Sequence, residues 1–384
     1  KTSLTVALDK VTTLTGTFTE LKQYITDEAQ YTSKNAVTTV TIDAQAIDGS
    51  GSNGTVAQLI TFHTDIRDTG DSHGTPSVDL TNVTLLSGDL SDLNTVRTTG
   101  TFTGKGAVDY TAGDTSITIT EANTLSGATT GKVTATIAND ALADLIGAGG
   151  IDADTGNDGD QINAFTVTLT DTSVTAANLA TLDARTSGTI NLDSVDTISG
   201  TFTELKAFIA AEDNFGNKDK IVNVNFDAQD IDGSGSNGTV AQLLTFHTDI
   251  RDNTGDGFNS SAVIDLTNVD LLSGGVSDLK SAITLTDATG ITGLKLTATD
   301  ASISIADANT LSAGTNDTVT ATIVESTTAQ ILDAGTGLTT DGGANAFTID
   351  ISNTSADAGD LASIHAKTSL TVALDKVTTL TGTF

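Results

Sequence analysis

The chain repeats itself, and this limits its fold more than any other feature. The eighteen residues KTSLTVALDKVTTLTGTF at 1–18 return unchanged at 367–384, a period of 366 residues. An older duplication lies inside that period. Residues 47–68 (IDGSGSNGTVAQLITFHTDIRD) return at 231–252 with one change, Ile60 to Leu244. Asp79 then corresponds to Asp265, Glu121 to Asp307 and Asn163 to Asn345. The offset drifts by a few residues, as loop insertions and deletions would make it do. Lys1, Arg185 and Lys367 open equivalent stretches. The division is a repeat unit at 1–184, a second at 185–366, and the start of the next at 367–384.

The match between 1–18 and 367–384 has two readings. The chain is a window cut from a longer tandem array, or a subunit whose redundant segments complete a neighbour. The sequence contains no Met, which favours the window.

Apolar–polar alternation predicts strands at 37–43, 77–85, 116–120, 133–137, 165–169 and 189–198, rich in Thr and Val. Helical patterns lie between them. Thr17 and Glu20 form a capping box, in which the hydroxyl takes one orphan amide and the carboxylate takes another. Phe18, Leu21 and Ile25 follow on one face. Val56, Leu59, Ile60 and Ile66 make a second stripe. Ala176, Leu179 and Leu182 make a third, after Thr175 as cap. Strand and helix alternate at about 30 residues per turn, which calls for parallel strands joined by right-handed crossovers. The expected fold is α/β, a repetitive solenoid of short parallel strands alternating with short helices. Its rungs bury a core only by stacking. The alternative is a tandem array of Thr-rich β-sandwich domains.

Composition removes several functions. The net charge of −32 repels nucleic acid and anionic lipid, so neither is an expected partner. No apolar run is long enough to span a membrane. The absence of Cys excludes disulfides, thiol catalysis and zinc–thiolate sites. Only 6 of the 49 acidic residues are Glu, and Asp favours caps, turns and calcium loops over helix interiors.

The cadence TISGTFTELKAF at Thr197, together with AANLATLDARTSG at Ala176, resembles the Thr/Ala/Gly/Asp-rich tandem repeats of giant extracellular surface proteins of marine bacteria, cyanobacteria especially. The resemblance covers most of both units and is one of rhythm and composition. It implies a secreted or cell-surface structural protein, without catalytic residues to carry over. The expected partners are other copies of the chain, with cell-surface polysaccharide as a further candidate.

Calcium is the one cofactor the sequence suggests. IDADTGNDGDQIN presents Asp152, Asp154, Asp158 and Asp160 at alternating positions, with glycines to bend the chain, and calcium takes six to eight oxygens from such loops. IDGSGSNGT offers Asp48 and Asn53, and its copy offers Asp232 and Asn237. The competing reading of both is a plain turn, the second one leading into a helix cap. His63 and His247 sit on helix stripes without the partners of a triad or a zinc helix, and read as half-buried helix residues. Thr-x-Thr tracts follow from sheet propensity. There is no Trp to line a sugar cleft, and paired aspartates carry no weight in so acidic a chain. The expectation is a protein that is not an enzyme. It would form or run along a filament or surface layer, or act as the extender or ligand-binding array of a large bacterial adhesin.

Overall fold

A computed structural model describes residues 4–152, 162–253, 257–339 and 345–382. Two compact units emerge. One comprises Lys1–Asp171, Thr181–Asp193 and Asn214–Gly216; the other comprises Thr172–Ala180, Ser194–Asp213 and Asn217–Phe384. Each is α/β, and every strand pair among the described residues is parallel. That overturns the β-sandwich alternative. Sandwiches are built from antiparallel hairpins, whereas here helices fill the connections.

In the first unit a seven-stranded sheet runs from Gln45–Ile47 through Val83–Gly88, Asp109–Ala112, Val133–Thr136, Ala164–Thr168 and Ile190–Asn191 to Phe215–Gly216. A four-stranded sheet orders Thr13–Gly16, Thr39–Ile42, Ser77–Asp79 and Phe102–Thr103, and Val6–Ala7 pairs with Tyr31–Thr32. The second unit holds a five-stranded sheet from Ser173–Thr175 to Ala288–Thr289 and a six-stranded sheet from Gln229–Ile231 to Val372–Ala373. Ser355–Asp357 there pairs with Thr379–Thr381. Strands join their sheets in chain order, so each stretch of strand and helix, here called a rung, pairs with the next. Tyr110 faces Val133, and at the other extreme Asn223 faces Val263.

The alternating residues of these strands form the cores. Val40, Ile42, Val78, Leu86 and Tyr110 are fully enclosed in the first unit, as are Val224, Phe226, Ile264, Leu296 and Phe347 in the second. Each buried aliphatic side chain contributes roughly 1.5–3 kcal/mol. Helices seal the sheets. Phe18 meets Phe62 edge-on at 5.7 Å, and Phe202 meets Phe246 at 5.9 Å.

Three strand expectations need correction. Residues 116–120 are not a strand: Ile117 makes an isolated bridge to Ile137, and Thr118 caps the helix Ile119–Ser126. Residues 77–85 divide into Ser77–Asp79 and Val83–Gly88, because Asp79 folds a turn by accepting from the Thr81 amide at 3.0 Å. Residues 189–198 divide in the same way, into Ile190–Asn191 and the start of Thr197–Gly200. On the helix Val56–Asp65, Phe62 rather than Ile60 completes the buried stripe with Val56, Leu59 and Ile66.

Candidate functional site

The turn at 47–54 is built by its own aspartate. Asp48 Oδ1 accepts from the Ser50 amide at 2.9 Å, the Ser50 hydroxyl at 2.7 Å and Asn53 Nδ2 at 3.3 Å. The Gly49 amide donates to Gly54 O at 2.7 Å, closing the turn. Gly54 has φ +75, and a Cβ there would lie 2.6 Å from the Phe18 ring. Only glycine lets the turn close onto that ring. Thr19 Oγ1 fastens it by donating to Ser52 O at 2.5 Å. The copy around Asp232 reproduces the set, with Ser234 and Asn237 donating to Asp232 and Thr203 donating to Ser236 O. These bonds hold both carboxyls below the usual range. For Asp48 the Ser50 hydroxyl bond leads, and for Asp232 the Ser234 amide bond leads.

The turn therefore brings Asp48 to Asn53, and Asp232 to Asn237, as acceptor and donor of one hydrogen bond. Asp152 is exposed, and its amide donates to Asn123 Oδ1 at 3.2 Å. Asp154, Asp158 and Asp160 lie outside the described residues. Among the described residues no three His, Asp or Glu side chains converge as a metal site would require.

Beside each turn, a groove opens between two helices. In the first unit it measures about 250 Å³, lined by Lys22, Ile25, Gln58, Thr61, Phe62 and Asp65. In the second it measures about 280 Å³, lined by the equivalent Lys206, Ile209, Gln242, Thr245, Phe246 and Asp249. Lys22 Nζ donates to Gln58 Oε1 at 3.1 Å and stands 4.9 Å from the Phe18 ring centre. Lys206 stands 5.6 Å from the Phe202 ring centre. The sequence reading missed these grooves. Their signal was the 22-residue block itself, which keeps four lining positions unchanged between the units.

His63 is half-buried, as its stripe position implied. Its Nε2 lies 2.7 Å from Thr101 Oγ1, and its ring packs against Phe102 at 4.3 Å. Burial, then the Arg67 charge, pushes its pKa down. His247 is also held low, by burial first and Arg251 second, but Asp287 and Ala288 replace the hydroxyl and the ring. Its Nε2 has no hydrogen-bond partner among the described residues. The hydroxyl beside His63 is therefore not repeated beside His247, where Asp287 stands at the position of Thr101.

A polar cluster also escaped the sequence reading. Glu28 Oε2 lies 2.7 Å from His73 Nε2 and 3.4 Å from Lys34 Nζ, and both partners are buried. The His73 bond holds the Glu28 carboxyl low. Tyr24 packs edge-on to His73 at 6.2 Å, and burial pushes its hydroxyl up to about 12. In the second unit the corresponding contact is apolar: Phe258 packs 5.9 Å from Phe208, with Lys218 Nζ 5.0 Å over its ring. The two units thus fill this position differently, with His73 bonded to Glu28 in the first and Phe258 against Phe208 in the second.

No family model matches the chain, and the comparisons bring neither a curated relative nor a solved structure that matches it. Among the described residues, no helix is long and apolar enough to cross a membrane.

Proposed function

We propose that this is an extracellular structural repeat protein, secreted or at the cell surface, that forms or runs along a filament or surface layer without catalysing a reaction. Its rungs stack as a solenoid within each unit, and length comes from repetition. One observation carries the reading: buried polar groups of one rung are satisfied by another. Thr129, Thr186, Thr315 and Thr368 each donate a hydroxyl to a backbone carbonyl 21 residues earlier, on Val108, Phe165, Leu294 and Phe347. Such groups become costly wherever a neighbouring rung is missing. The partners are further copies of the same sequence. Micrographs of the native material should show fibres with a regular axial repeat. An intact native mass near 38.9 kDa, that of these 384 residues alone, would overturn the array.

The paired grooves favour a second reading, the extender or ligand-binding array of an adhesin with cell-surface polysaccharide as ligand. Calorimetric titration with oligosaccharides separates the two, because a binding array loses its heat in a K22A/K206A variant. Calcium belongs to the proposal through the run Asp152, Asp154, Asp158 and Asp160 alone, since hydrogen bonds account for the Asp48 and Asp232 turns. EDTA should lower Tm, and an unchanged Tm removes calcium from the proposal.

A further inference from the structure

Asn53 and Asn237 are the asparagines of this chain that precede a glycine. In such a pair the glycine nitrogen can attack the asparagine Cγ, because no side chain shields it and the glycine backbone turns freely. The fold requires this reactive pair in both units. A Cβ at residue 54 would meet the Phe18 ring, and one at residue 238 would meet the Phe202 ring. Asn53 Nδ2 donates to Asp48 Oδ1 at 3.3 Å and to Ser50 Oγ at 3.2 Å. Asn237 Nδ2 donates to Asp232 Oδ1 and Ser234 Oγ, both at 3.3 Å. An aspartate at either position would set a second carboxylate against the first.

The closed turn restrains the attack. The nitrogen that must leave as ammonia is Nδ2, which both hydrogen bonds tie down. Donation to an ionised carboxylate also pushes electron density into the amide and makes Cγ a poorer electrophile. The backbone is held on both sides. Asn53 donates its amide to Ser50 O at 2.9 Å, and Gly54 O accepts from the Gly49 amide at 2.7 Å. In the copy, Asn237 donates to Ser234 O at 3.0 Å, and Gly238 O accepts from Gly233 at 2.7 Å. The attacking amides of Gly54 and Gly238 meet no acceptor among the described residues. Gly51 and Ser52 at the tip are exposed, and short surface turns of this kind open locally far below the cost of global unfolding.

We propose that Asn53–Gly54 and Asn237–Gly238 are paired sites of spontaneous modification by water, each a one-way latch that the turn's own hydrogen bonds keep closed. When the turn opens, the Gly54 nitrogen bonds to Asn53 Cγ and gives its proton to solvent. The Cγ–Nδ2 bond breaks, and ammonia departs with a proton from water. Water then adds to the cyclic imide. Breaking the new N–Cγ bond leaves aspartate; breaking the original peptide bond leaves isoaspartate, whose main chain runs through the side-chain carbons. Nothing is oxidised or reduced. Neither product recloses the turn. Both replace a donor to Asp48 with a carboxylate, and like charges at that distance repel. Isoaspartate also lengthens the main chain between the Gly49 amide and Gly54 O. Nothing in this chemistry depends on how copies of the chain assemble.

Peptide mapping of the full chain after storage at neutral pH reads both sites. Each gains the mass of an amide turned into an acid, and an isoaspartyl methyltransferase marks the isoaspartate. Both should convert more slowly than residues 50–57 as a free peptide, which lacks Asp48 and the turn. Ser50→Ala removes the hydroxyl that bonds both Asp48 and Asn53. It should speed residue 53 roughly fivefold, the value of one hydrogen bond, while residue 237 of the same chain keeps its rate. If both sites quicken together the chain has unfolded, and Thr19→Val, which frees only Ser52 O, takes its place with the same expectation. An unchanged rate at residue 53, or a wild-type rate equal to the peptide's, overturns the restraint. Chains separated by their added negative charge then report on the latch. Their Gly49 amide should exchange freely with solvent, and a Gly49 amide still protected would mean that the turn recloses and the latch is wrong.

Discussion

Thr186 carries the logic of the fold in one hydroxyl. It donates to Phe165 O at 2.7 Å and accepts from the Phe165 amide at 2.8 Å and the Gly188 amide at 3.0 Å, while 3% exposed. Thr368 repeats this with Phe347 and Leu370. Thr186→Val keeps the shape but leaves two amides unpaired, which costs about 2 kcal/mol. Denaturant unfolding should show that loss at unchanged m-value; a neutral result would mean the hydroxyl does not link the rungs. In the sequence this residue is one Thr among many, attributable to sheet propensity. Its partner lies 21 residues away, a distance at which no local pattern reports. The Asp48 turn is legible for the opposite reason. Its donors, Ser50 and Asn53, lie within five residues, and its glycines mark the bends.

Helix caps divide along the same line. Helices beginning after Thr17, Thr55, Thr118, Thr201, Thr239 and Thr327 carry their own capping boxes. The box at Thr17 is readable because both partners sit within four residues. The box at Thr118 is hidden because SITIT also satisfies a strand's period, and only Glu121 breaks the tie. Among the described residues, the helices that follow Asp89, Ala141 and Gly275 lack a side-chain cap of their own. Each borrows a carboxylate from a later rung. Leu90 donates its amide to Asp114 at 2.6 Å, Leu142 to Asp171 at 2.6 Å and Val276 to Asp300 at 2.7 Å. Part of the Asp excess is thus capping between rungs, which turn chemistry alone did not explain. Asp114→Ala should cost about 1 kcal/mol, the usual value of an N-cap. Hydrogen exchange should quicken first in Leu90–Thr98, and uniform quickening would contradict a local cap. The other end of that helix holds Lys105, whose Nζ donates to Val96 O at 3.0 Å, Arg97 O at 2.6 Å and Thr99 O at 2.9 Å. Lys105→Met should cost about 2 kcal/mol, because three carbonyls lose a charged donor. Calorimetry of the purified variant checks it.

For the whole molecule, a net charge of −32 and a set of structural carboxylates pull in opposite directions on acidification. Protonation relieves repulsion, but salt of about 0.15 M already screens charges beyond roughly 8 Å. The structural carboxylates act at contact distance. Glu20, Glu28, Glu121, Asp48, Asp232, Asp265, Asp307 and Asp333 are all held below their usual values by hydrogen bonds, from Thr17, His73, Thr118, Ser50, Ser234, Thr267, Lys280 and Gly335 respectively. A carboxyl depressed in the fold stabilises it above the unfolded value of about 4, and that contribution is lost as pH falls through the folded value. Burial holds the His63 and His247 pKa values below that of the unfolded chain, which therefore gains protons first below about 6.5. Both groups make the fold less stable in acid, and screened repulsion is too weak to reverse them. In physiological salt, Tm should decline slightly from pH 7 to 5 and steeply below pH 4. In low salt the pH 7 value should be lower, because the unscreened charge opposes compactness. A Tm that climbed steadily to pH 3 would mean that repulsion, rather than the capping carboxylates, sets the stability of the repeats.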